Sequence, residues 1–357
     1  MNKLVLAAAI SASFLSLSTV AGEKVTSLDK FFSEDGVKVT EANYPTLETS
    51  RQLVKIQDKV GVNKFDHKRL LTPTDAQPVV RMNRDTYYSF SLVDVSEGAY
   101  VTLPEVPELE GGTYMSLEVV TEDHRVQPMT YGPGKFNLTA HEGDHVYALV
   151  RLDARFSVEE ANAIQDKMSI TAKSSKAFDT VQVDKESFHK VEADLKAQMP
   201  GLMKTNPSEA TFGMFTAPTD NSKELFVQKK YAIGAAIGWG GAQLVDNLYE
   251  VSGNYPMDKC HQATFEDPKN KAFWSFTVYD KNGFMFKDLA NLSSTSAKPN
   301  ADGTYTISFG CGADAINNIE TDNPTGVFNL AVRHYVPSDK VKNEGYRLLP
   351  FVKVAEK

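Results

Sequence analysis

Short apolar runs alternate with turn residues across residues 79–152, and this pattern constrains the fold more than any other feature. In one such run Tyr88, Phe90 and Leu92 alternate with serines, which is the period of two expected for a strand that buries one face. Residues typical of turns separate the runs at a spacing of roughly ten residues. The pattern predicts an antiparallel β-sandwich or jelly roll.

The strand pattern returns after Asp246. Helical patterns lie before the first β-rich part and between the two β-rich parts. We therefore predict a mainly β (α+β) protein with two β-sandwich or jelly-roll-like domains and a few peripheral and linking helices. The predicted order is a signal peptide at 1–22, a lead-in with an N-terminal helix at 23–66, an N-terminal β domain at 67–170, a helical linker at 171–215 and a C-terminal β domain at 216–357.

The first 22 residues have the pattern of an export signal. Lys3 precedes an apolar run at residues 4–17, and the small residues of Thr19-Val20-Ala21 predict cleavage near Gly22. We expect an exported protein, periplasmic or extracellular, without an integral membrane segment after cleavage. The formal net charge of the 357 residues is -8. This acidic balance argues against nucleic acid as a partner, because like charges repel.

The chain has two cysteines, Cys260 and Cys311. In an exported protein this pair predicts one disulfide, and two free buried thiols are the alternative.

The densest polar group lies immediately before the strand that contains Tyr88. The candidate ligand-binding residues are Arg81, Asn83, Arg84, Asp85, Tyr87 and Tyr88. The planar arginine side chains could bind a carboxylate or a sulfate. Alternatively, the group is a structural ion network, in which an arginine pairs with Asp85 or Glu122.

A second candidate site follows another predicted strand, at Glu122, Asp123 and His124. Two carboxylates beside a histidine could hold a divalent metal or could make His124 an acid–base catalyst. The alternative is a surface turn with an ion pair. Residues 141–145 match the letters of the zinc motif H-E-x-x-H, but they lie between two predicted strands, whereas the motif requires a helix. We assign no metal ligand and no cofactor.

Five runs of the first half resemble a bacterial domain of unknown function, DUF1254. They lie at residues 63–67, 77–89, 122–125, 131–139 and 164–168. One departure is Arg125, where members of that family commonly have tyrosine.

Four runs of the second half resemble DUF1214, the usual companion of DUF1254. They lie at residues 237–241, 273–283, 302–310 and 332–337. A second cysteine that many members carry after Cys311 is absent, which leaves Cys260 as the partner of Cys311. The resemblance implies two linked β-rich domains and no particular reaction.

These observations favour an exported binding or interaction factor that takes a small molecule or a protein partner and acts on neighbouring or host cells. One alternative is a metal-assisted or acid–base hydrolase or lyase that uses His124 with Glu122 or Asp123. Another alternative is a structural component of the cell envelope. The sequence specifies no oligomeric state.

Overall fold

The computed structural model describes residues 23–77, 80–205, 209–220 and 226–355. The predicted signal peptide at 1–22 and the first residue of the run 79–152 lie outside the described residues. None of the helices in the described ranges is long and apolar enough to cross a membrane.

Strands dominate the described chain, as the sequence predicted. The first half contains β1 (Lys24–Val25), β2 (Phe32–Ser33), β3 (Asp66–His67), β4 (Thr86–Asp94), β5 (Ala99–Leu103), β6 (Met115–Thr121), β7 (Thr130–Tyr131), β8 (Gly134–Leu138), β9 (His145–Asp153), β10 (Ser169–Ala172), β11 (Thr180–Val181) and β12 (Val183–Asp184). The second half contains β13 (Asn247–Val251), β14 (Tyr255–Pro256), β15 (His261–Phe265), β16 (Phe273–Tyr279), β17 (Asn291–Ser293), β18 (Tyr305–Phe309), β19 (Asn318–Ile319), β20 (Val327–Tyr335) and β21 (Val352–Val354).

Helices are fewer, and most lie outside the two groups of strands. They are α1 (Tyr44–Val60), α2 (Val158–Gln165), α3 (Lys185–Lys196), α4 (Met199–Thr205), α5 (Gln228–Gly238) and α6 (Asp339–Lys342), with short 3-10 helices at Leu28–Lys30 and Leu349–Phe351. Helix α2 begins with the predicted capping box, in which Ser157 and Glu160 satisfy each other's backbone N–H groups.

Two sheets form the sandwich of the first half. The larger one, called the N-sheet below, has the order β3-β4-β9-β6-β7, and the smaller one has the order β10-β5-β8. Every pairing within them is antiparallel. Alternate residues of the N-sheet, such as Val93, Met115 and Val150, are buried against the smaller sheet.

The other face of the N-sheet is also buried. Tyr88 and Leu92 pack in a core that includes residues of α1, α3 and α5. The prediction that β4 buries only one face is therefore wrong, since even Ser89 and Ser91 are at most 1% exposed. A helical layer covers this second face, and a period of two in the sequence does not reveal such a layer.

Residues of the predicted linker at 171–215 pair with the N-terminal lead-in. Strand β11 pairs with β1, and β12 pairs with β2. Helix α3 follows directly, and Phe188 and Leu195 on its apolar face join the core under the N-sheet. These contacts join the segment to the first half, and the exact domain boundaries stay predictions.

The second half is a sandwich of similar design. Its larger sheet, called the C-sheet below, has the order β13-β20-β16-β17, and β14 also pairs with β20. The facing sheet has the order β19-β18-β15-β21. Trp274, Phe276 and Val332 fill the core between them. The predicted disulfide between Cys260 and Cys311 is present.

Candidate functional site

The outer faces of the N-sheet and the C-sheet meet, and several predicted site residues lie between them. Tyr114, just before β6, contacts both Phe273 and Tyr335 of the C-sheet, with ring centroids 5.4 Å apart in each pair. Side chains alternate along a strand, so outward residues of the C-sheet can face outward residues of the N-sheet where the helical layer does not cover them. The interface between the halves is therefore rich in polar and aromatic groups.

Asp85 connects the two halves directly. Its buried carboxylate accepts hydrogen bonds from the Ser275 hydroxyl at 2.8 Å, the Asn291 side-chain amide at 2.7 Å and the Tyr335 hydroxyl at 2.9 Å. All three donors belong to the second half of the chain. A buried carboxylate needs such donors, because burial of an unpaired charge is costly.

The two arginines of the predicted group donate to neutral acceptors. Arg81 donates to the side-chain oxygen of Asn329 at 3.0 Å, and Arg84 donates to the carbonyl oxygen of Thr72 at 2.7 Å. Arg84 also lies 3.7 Å from the carboxylate of Asp288, whose side chain is 86% exposed. This geometry stabilises the junction between the halves, and ligand binding by these arginines stays a prediction.

The remaining members of the group point in different directions. The Asn83 amide donates to the Tyr88 hydroxyl at 2.9 Å, on the interface side of the N-sheet. Tyr87 enters the opposite face, and its hydroxyl donates to the carbonyl oxygen of Phe156 at 3.1 Å. The structure thus brings Asn83, Asp85 and Tyr88 together and separates Tyr87 from them.

A buried ion pair beside Tyr88 was not predicted from the sequence. Nη1 of Arg151, on β9, donates to Oε2 of Glu118, on β6. Arg151 is 6% exposed and Glu118 is fully buried. Although burial alone would lower the pKa of Arg151, Glu118 raises it, so the guanidinium stays charged. The available signal was a charged residue in the interior of each of two largely apolar strands.

Both members of this pair keep unused hydrogen-bonding capacity. Oε1 of Glu118 has no hydrogen-bond partner among the described residues. On Arg151, the contacts to Glu118 and to the Met129 sulfur both use Nη1. Because a guanidinium carries five N–H donors and a carboxylate accepts at both oxygens, the pair can bind a further polar group.

Tyrosines from both halves surround the ion pair. We call Tyr88, Tyr114, Tyr249 and Tyr335 the tyrosine cluster. The first three are close enough to interact with the charge of Arg151. Their hydroxyls accept hydrogen bonds from Asn83, Ser116 and Asn247, respectively, at 2.9–3.1 Å. A hydroxyl that accepts still has a proton to donate, so these three tyrosines keep donor capacity, whereas the Tyr335 hydroxyl already donates to Asp85.

A cleft opens between the halves next to the tyrosine cluster, with a volume of about 220 Å³. Its walls are formed by Gly111, Gly112, Thr113, Tyr114, Met115, Tyr131, Gly132 and Arg155 from the first half and by Lys271, Ala272, Phe273, Thr295 and Val336 from the second. Tyr114 and Tyr131 line the cleft and also interact with the charge of Arg151. These two tyrosines therefore lie near both the cleft and the ion pair, although neither Glu118 nor Arg151 lines the cleft.

The second predicted site, at residues 122–124, forms the turn after β6, and its side chains diverge. Glu122 Oε1 accepts from the backbone N–H groups of Asp144 and His145, both at 2.9 Å. Asp123 bonds to Nδ1 of His141 at 2.7 Å. Neither carboxylate makes a hydrogen bond to His124, so the structure does not bring the predicted acid–base partners together.

His124 is fully buried among aromatic rings. Its Nε2 accepts the backbone N–H of Gly240 at 3.2 Å, and the ring centroids of Tyr231 and Trp239 lie 5.6 and 6.0 Å away. Burial lowers the pKa of His124 to about 3. A neutral imidazole enclosed in this way cannot contact a substrate in this conformation, and its catalytic role stays a prediction.

Residues that could hold a metal nevertheless lie beside the same turn. One potential ligand atom each from Asp123, His141 and Glu142 lie within 4.8 Å of one another. Imidazole and carboxylate groups are ligands for zinc and related divalent ions. Residues 141–144 form bends and His145 begins β9, so the segment is not a helix and His141 and His145 do not share a helical face. His145 instead contacts the carbonyl oxygen of Lys176 at 2.9 Å.

Family models match both halves of the chain. The model described as "Protein of unknown function (DUF1254)" matches residues 62–135, and the model described as "Protein of unknown function (DUF1214)" matches residues 253–339. The predicted pairing of the two is confirmed. None of the curated proteins matches the chain.

One solved structure shares the fold, and a second aligns more weakly. The VPA0106 protein from Vibrio parahaemolyticus aligns with a TM-score of 0.66 at 16% identity, over 88% of this chain and 98% of that chain. An uncharacterized protein from Burkholderia cenocepacia aligns with a TM-score of 0.48 at 12% identity, over 84% of each chain. At these identities the first alignment supports the fold alone.

Proposed function

We propose that this chain, which carries the paired DUF1254 and DUF1214 regions, is an exported binding protein whose ligand lies in the cleft between its halves. Pockets at domain interfaces are common ligand sites, because two surfaces can enclose a molecule from opposite sides. Export, and action on neighbouring or host cells, stay predictions from the sequence.

The observation that carries this proposal is the composition of the cleft. Both halves contribute to its walls, and the rings of Tyr114, Tyr131 and Phe273 lie beside the polar side chains of Arg155 and Lys271. Apolar walls with a few polar groups are typical of small-molecule sites. The volume of about 220 Å³ is below the ~300–1,000 Å³ of sites for drug-sized molecules, which favours a small ligand.

The test is to block the cleft and measure binding. Thr295 is an exposed residue of the cleft wall, and Thr139 is an exposed residue in a loop that does not line the cleft. We would screen a library of small polar fragments by ligand-observed NMR against the wild type, Thr295→Trp and the matched control Thr139→Trp. Fragments should bind the wild type and the control, and binding to Thr295→Trp should be lost.

Equal fragment binding to all three proteins would place the ligand elsewhere and refute the proposal. Thermal unfolding of both tryptophan variants checks that their folds are retained.

The alternative function, metal-assisted hydrolysis or elimination, is favoured by one observation: the grouping of Asp123, His141 and Glu142. In this alternative the metal ligands would include His141, while His124 would only support the turn. Purified protein should then contain zinc or manganese in near-stoichiometric amount, and His141→Ala should lose it. A matched control is His189→Ala, because His189 is an exposed histidine paired with Glu192 on helix α3.

A further inference from the structure

Resting on the proposed function, we infer that the ligand of the cleft is a small monocarboxylate with an apolar body, and that its carboxylate binds Lys271. The apolar body packs on the aromatic wall that Tyr114, Tyr131 and Phe273 form on one side of the cleft. All four residues line the cleft as the structure shows it, so a ligand reaches them without any rearrangement of the walls.

The lining of the cleft carries positive charge without negative charge. Arg155 and Lys271 are cationic, and the described residues that line the cleft include neither an aspartate nor a glutamate. The whole chain has a net charge of -8, so this lining differs from the rest of the protein. A concave surface lined by one sign of charge attracts ligands of the opposite sign. The lining therefore favours an anion and disfavours a cation.

Two carboxylates are bonded to wall residues, but both are buried behind the wall. Asp153 accepts from Nε and Nη2 of Arg155 at 3.0 and 2.7 Å. Asp246 accepts from the Tyr131 hydroxyl at 2.7 Å and from the backbone N–H of Met129 at 3.1 Å. The two residues are 4% and 6% exposed, and neither lines the cleft. An anion in the cleft therefore meets no facing carboxylate.

The guanidinium of Arg155 is already engaged within the wall. Besides its two bonds to Asp153, it donates through Nη1 to the carbonyl oxygen of Glu110 at 2.7 Å and through Nη2 to the carbonyl oxygen of Gly112. These bonds hold the turn that forms one edge of the cleft. Arg155 thus shapes the wall, and its charge is balanced by Asp153.

Lys271, in contrast, has a free amine. Its Nζ has no hydrogen-bond or ion-pair partner among the described residues. Its backbone N–H donates to the carbonyl oxygen of Val336 at 2.9 Å, and Val336 lines the cleft as well, so the base of the lysine is fixed in the wall. An ammonium group offers three donors and one positive charge. It can bind both oxygens of a carboxylate.

A single free cation favours a ligand with a single negative charge. A carboxylate carries one charge at pH 7, whereas a phosphate monoester carries about 1.5–2. The surplus charge of a phosphate would lie against aromatic rings without a second free cation, and such burial is unfavourable. The donor set of the cleft therefore fits a monocarboxylate better than a phosphate.

The aromatic wall defines the rest of the ligand. Tyr131 is 38% exposed, and its hydroxyl is held by Asp246, so the ring and not the polar end is available to a ligand. The ring centroids of Tyr131 and Phe273 lie 6.2 and 5.4 Å from that of Tyr114, which makes the wall continuous. Aromatic rings bind apolar groups through large contact areas. The part of the ligand beyond its carboxylate is therefore apolar.

Ligand-observed NMR titration of the purified protein tests the ligand class. The probes are benzoate, benzamide and benzamidine, which share size and planar shape but are anionic, neutral and cationic. Benzoate should bind with a Kd on the order of 1 mM, as expected for so few non-hydrogen atoms. It should bind about fivefold more tightly than benzamide, the gain expected from an ion pair with a partly exposed cation. Benzamidine should bind more weakly than both.

Three variants test the contact with Lys271. Lys271→Met removes the charge and should weaken benzoate binding to the level of benzamide, while benzamide binding stays unchanged. Lys271→Arg keeps the charge and should keep the preference for benzoate. Lys353→Met is the matched control, because Lys353 is an exposed lysine on β21 outside the cleft wall and its loss changes the net charge equally. Thermal unfolding checks that all three variants retain their fold.

Several outcomes would overturn the monocarboxylate ligand. These are equal binding of benzoate and benzamide to the wild type, a preference for benzoate that survives in Lys271→Met, an equal loss of this preference in Lys353→Met, or no benzoate binding while other fragments occupy the cleft. The proposed function stands in each case if fragment binding is lost in Thr295→Trp and kept in Thr139→Trp. Equal fragment binding to these two proteins would instead refute cleft binding itself.

Discussion

Asp85 is predicted to be the main polar connection between the two halves, so its removal should weaken their association. The Asp85→Ala change deletes three hydrogen bonds of 2.7–2.9 Å, all to donors of the second half. Hydrogen bonds to a charged group contribute ~1.5–3 kcal/mol each, and release of a buried carboxylate offsets part of this sum. We expect the free energy of unfolding to fall by about 3–5 kcal/mol, as when a buried charged network is broken.

Urea denaturation followed by tryptophan fluorescence measures this effect in each half. Trp239 packs on Tyr147 of the N-sheet with ring centroids 4.9 Å apart, and Trp274 lies in the core of the second sandwich. Versions with a single tryptophan therefore report on one half each. Asp85→Ala should lower the urea midpoint and separate the two transitions, because the halves no longer stabilise each other.

The matched control is Asp288→Ala. The Asp288 side chain is 86% exposed, and its Oδ1 lies 3.7 Å from Nη1 of Arg84. Exposed pairs contribute about 0–1 kcal/mol, so this midpoint should hardly move. Asp85→Asn keeps the shape of the side chain and one acceptor oxygen. Its urea midpoint should therefore lie between the midpoints of Asp85→Ala and Asp288→Ala. If Asp85→Ala and Asp288→Ala shift the midpoint equally, the three hydrogen bonds do not hold the halves together.

Three further outcomes follow from the structure. Reduction of the Cys260–Cys311 disulfide, which closes a loop with a sequence separation of 51, should lower the free energy of unfolding by roughly 4 kcal/mol. Thermal unfolding with and without reductant measures this loss. Thiol labelling of the unreduced, denatured protein should modify neither cysteine. The pKa of Asp94 is lowered, since hydrogen bonds from Ser174 and other groups outweigh its burial. Asp94→Asn should therefore destabilise the protein at pH 7. Its difference from the wild type should begin to shrink as the pH falls below about 4, where the unfolded carboxylate takes up a proton, and should keep shrinking toward the lower pKa of the folded state. Burial lowers the pKa of His124 to about 3, so the unfolded state binds its proton first, and stability should fall as the pH drops from about 6.5 toward 3. His124→Phe should flatten this dependence of stability on pH. An unchanged dependence would contradict the explanation through the lowered pKa of His124.

The sequence predicted most strands, because alternation of apolar and polar residues is a local property of the chain. It did not predict that β4 is buried on both faces, where Ser89 and Ser91 face the smaller sheet. The helices that cover the other face are distant in sequence. Likewise, the pairing of β11 and β12 with β1 and β2 joins residues about 150 positions apart, and no local pattern encodes it.

Polar residues clustered in sequence were a weak guide to the cleft, since none of residues 81–85 lines it. The run from Arg81 to Asp85 was conspicuous because its members are adjacent, yet most of their hydrogen bonds end on the protein itself. Arg81 and Asp85 bond to side chains of the second half that are distant in sequence, so their adjacency did not reveal that this run joins the two halves.

Glu118 and Arg151 are inconspicuous in sequence because each lies in the interior of a largely apolar strand, away from any run of polar residues. A charge at such a position is tolerated only if another strand supplies its partner, and burial of the pair costs stability unless further hydrogen bonds compensate. Here one carboxylate oxygen lacks a partner among the described residues. Two opposite charges in neighbouring apolar strands thus predict a contact across the sheet. That one oxygen of this buried carboxylate has no partner among the described residues is visible only in three dimensions.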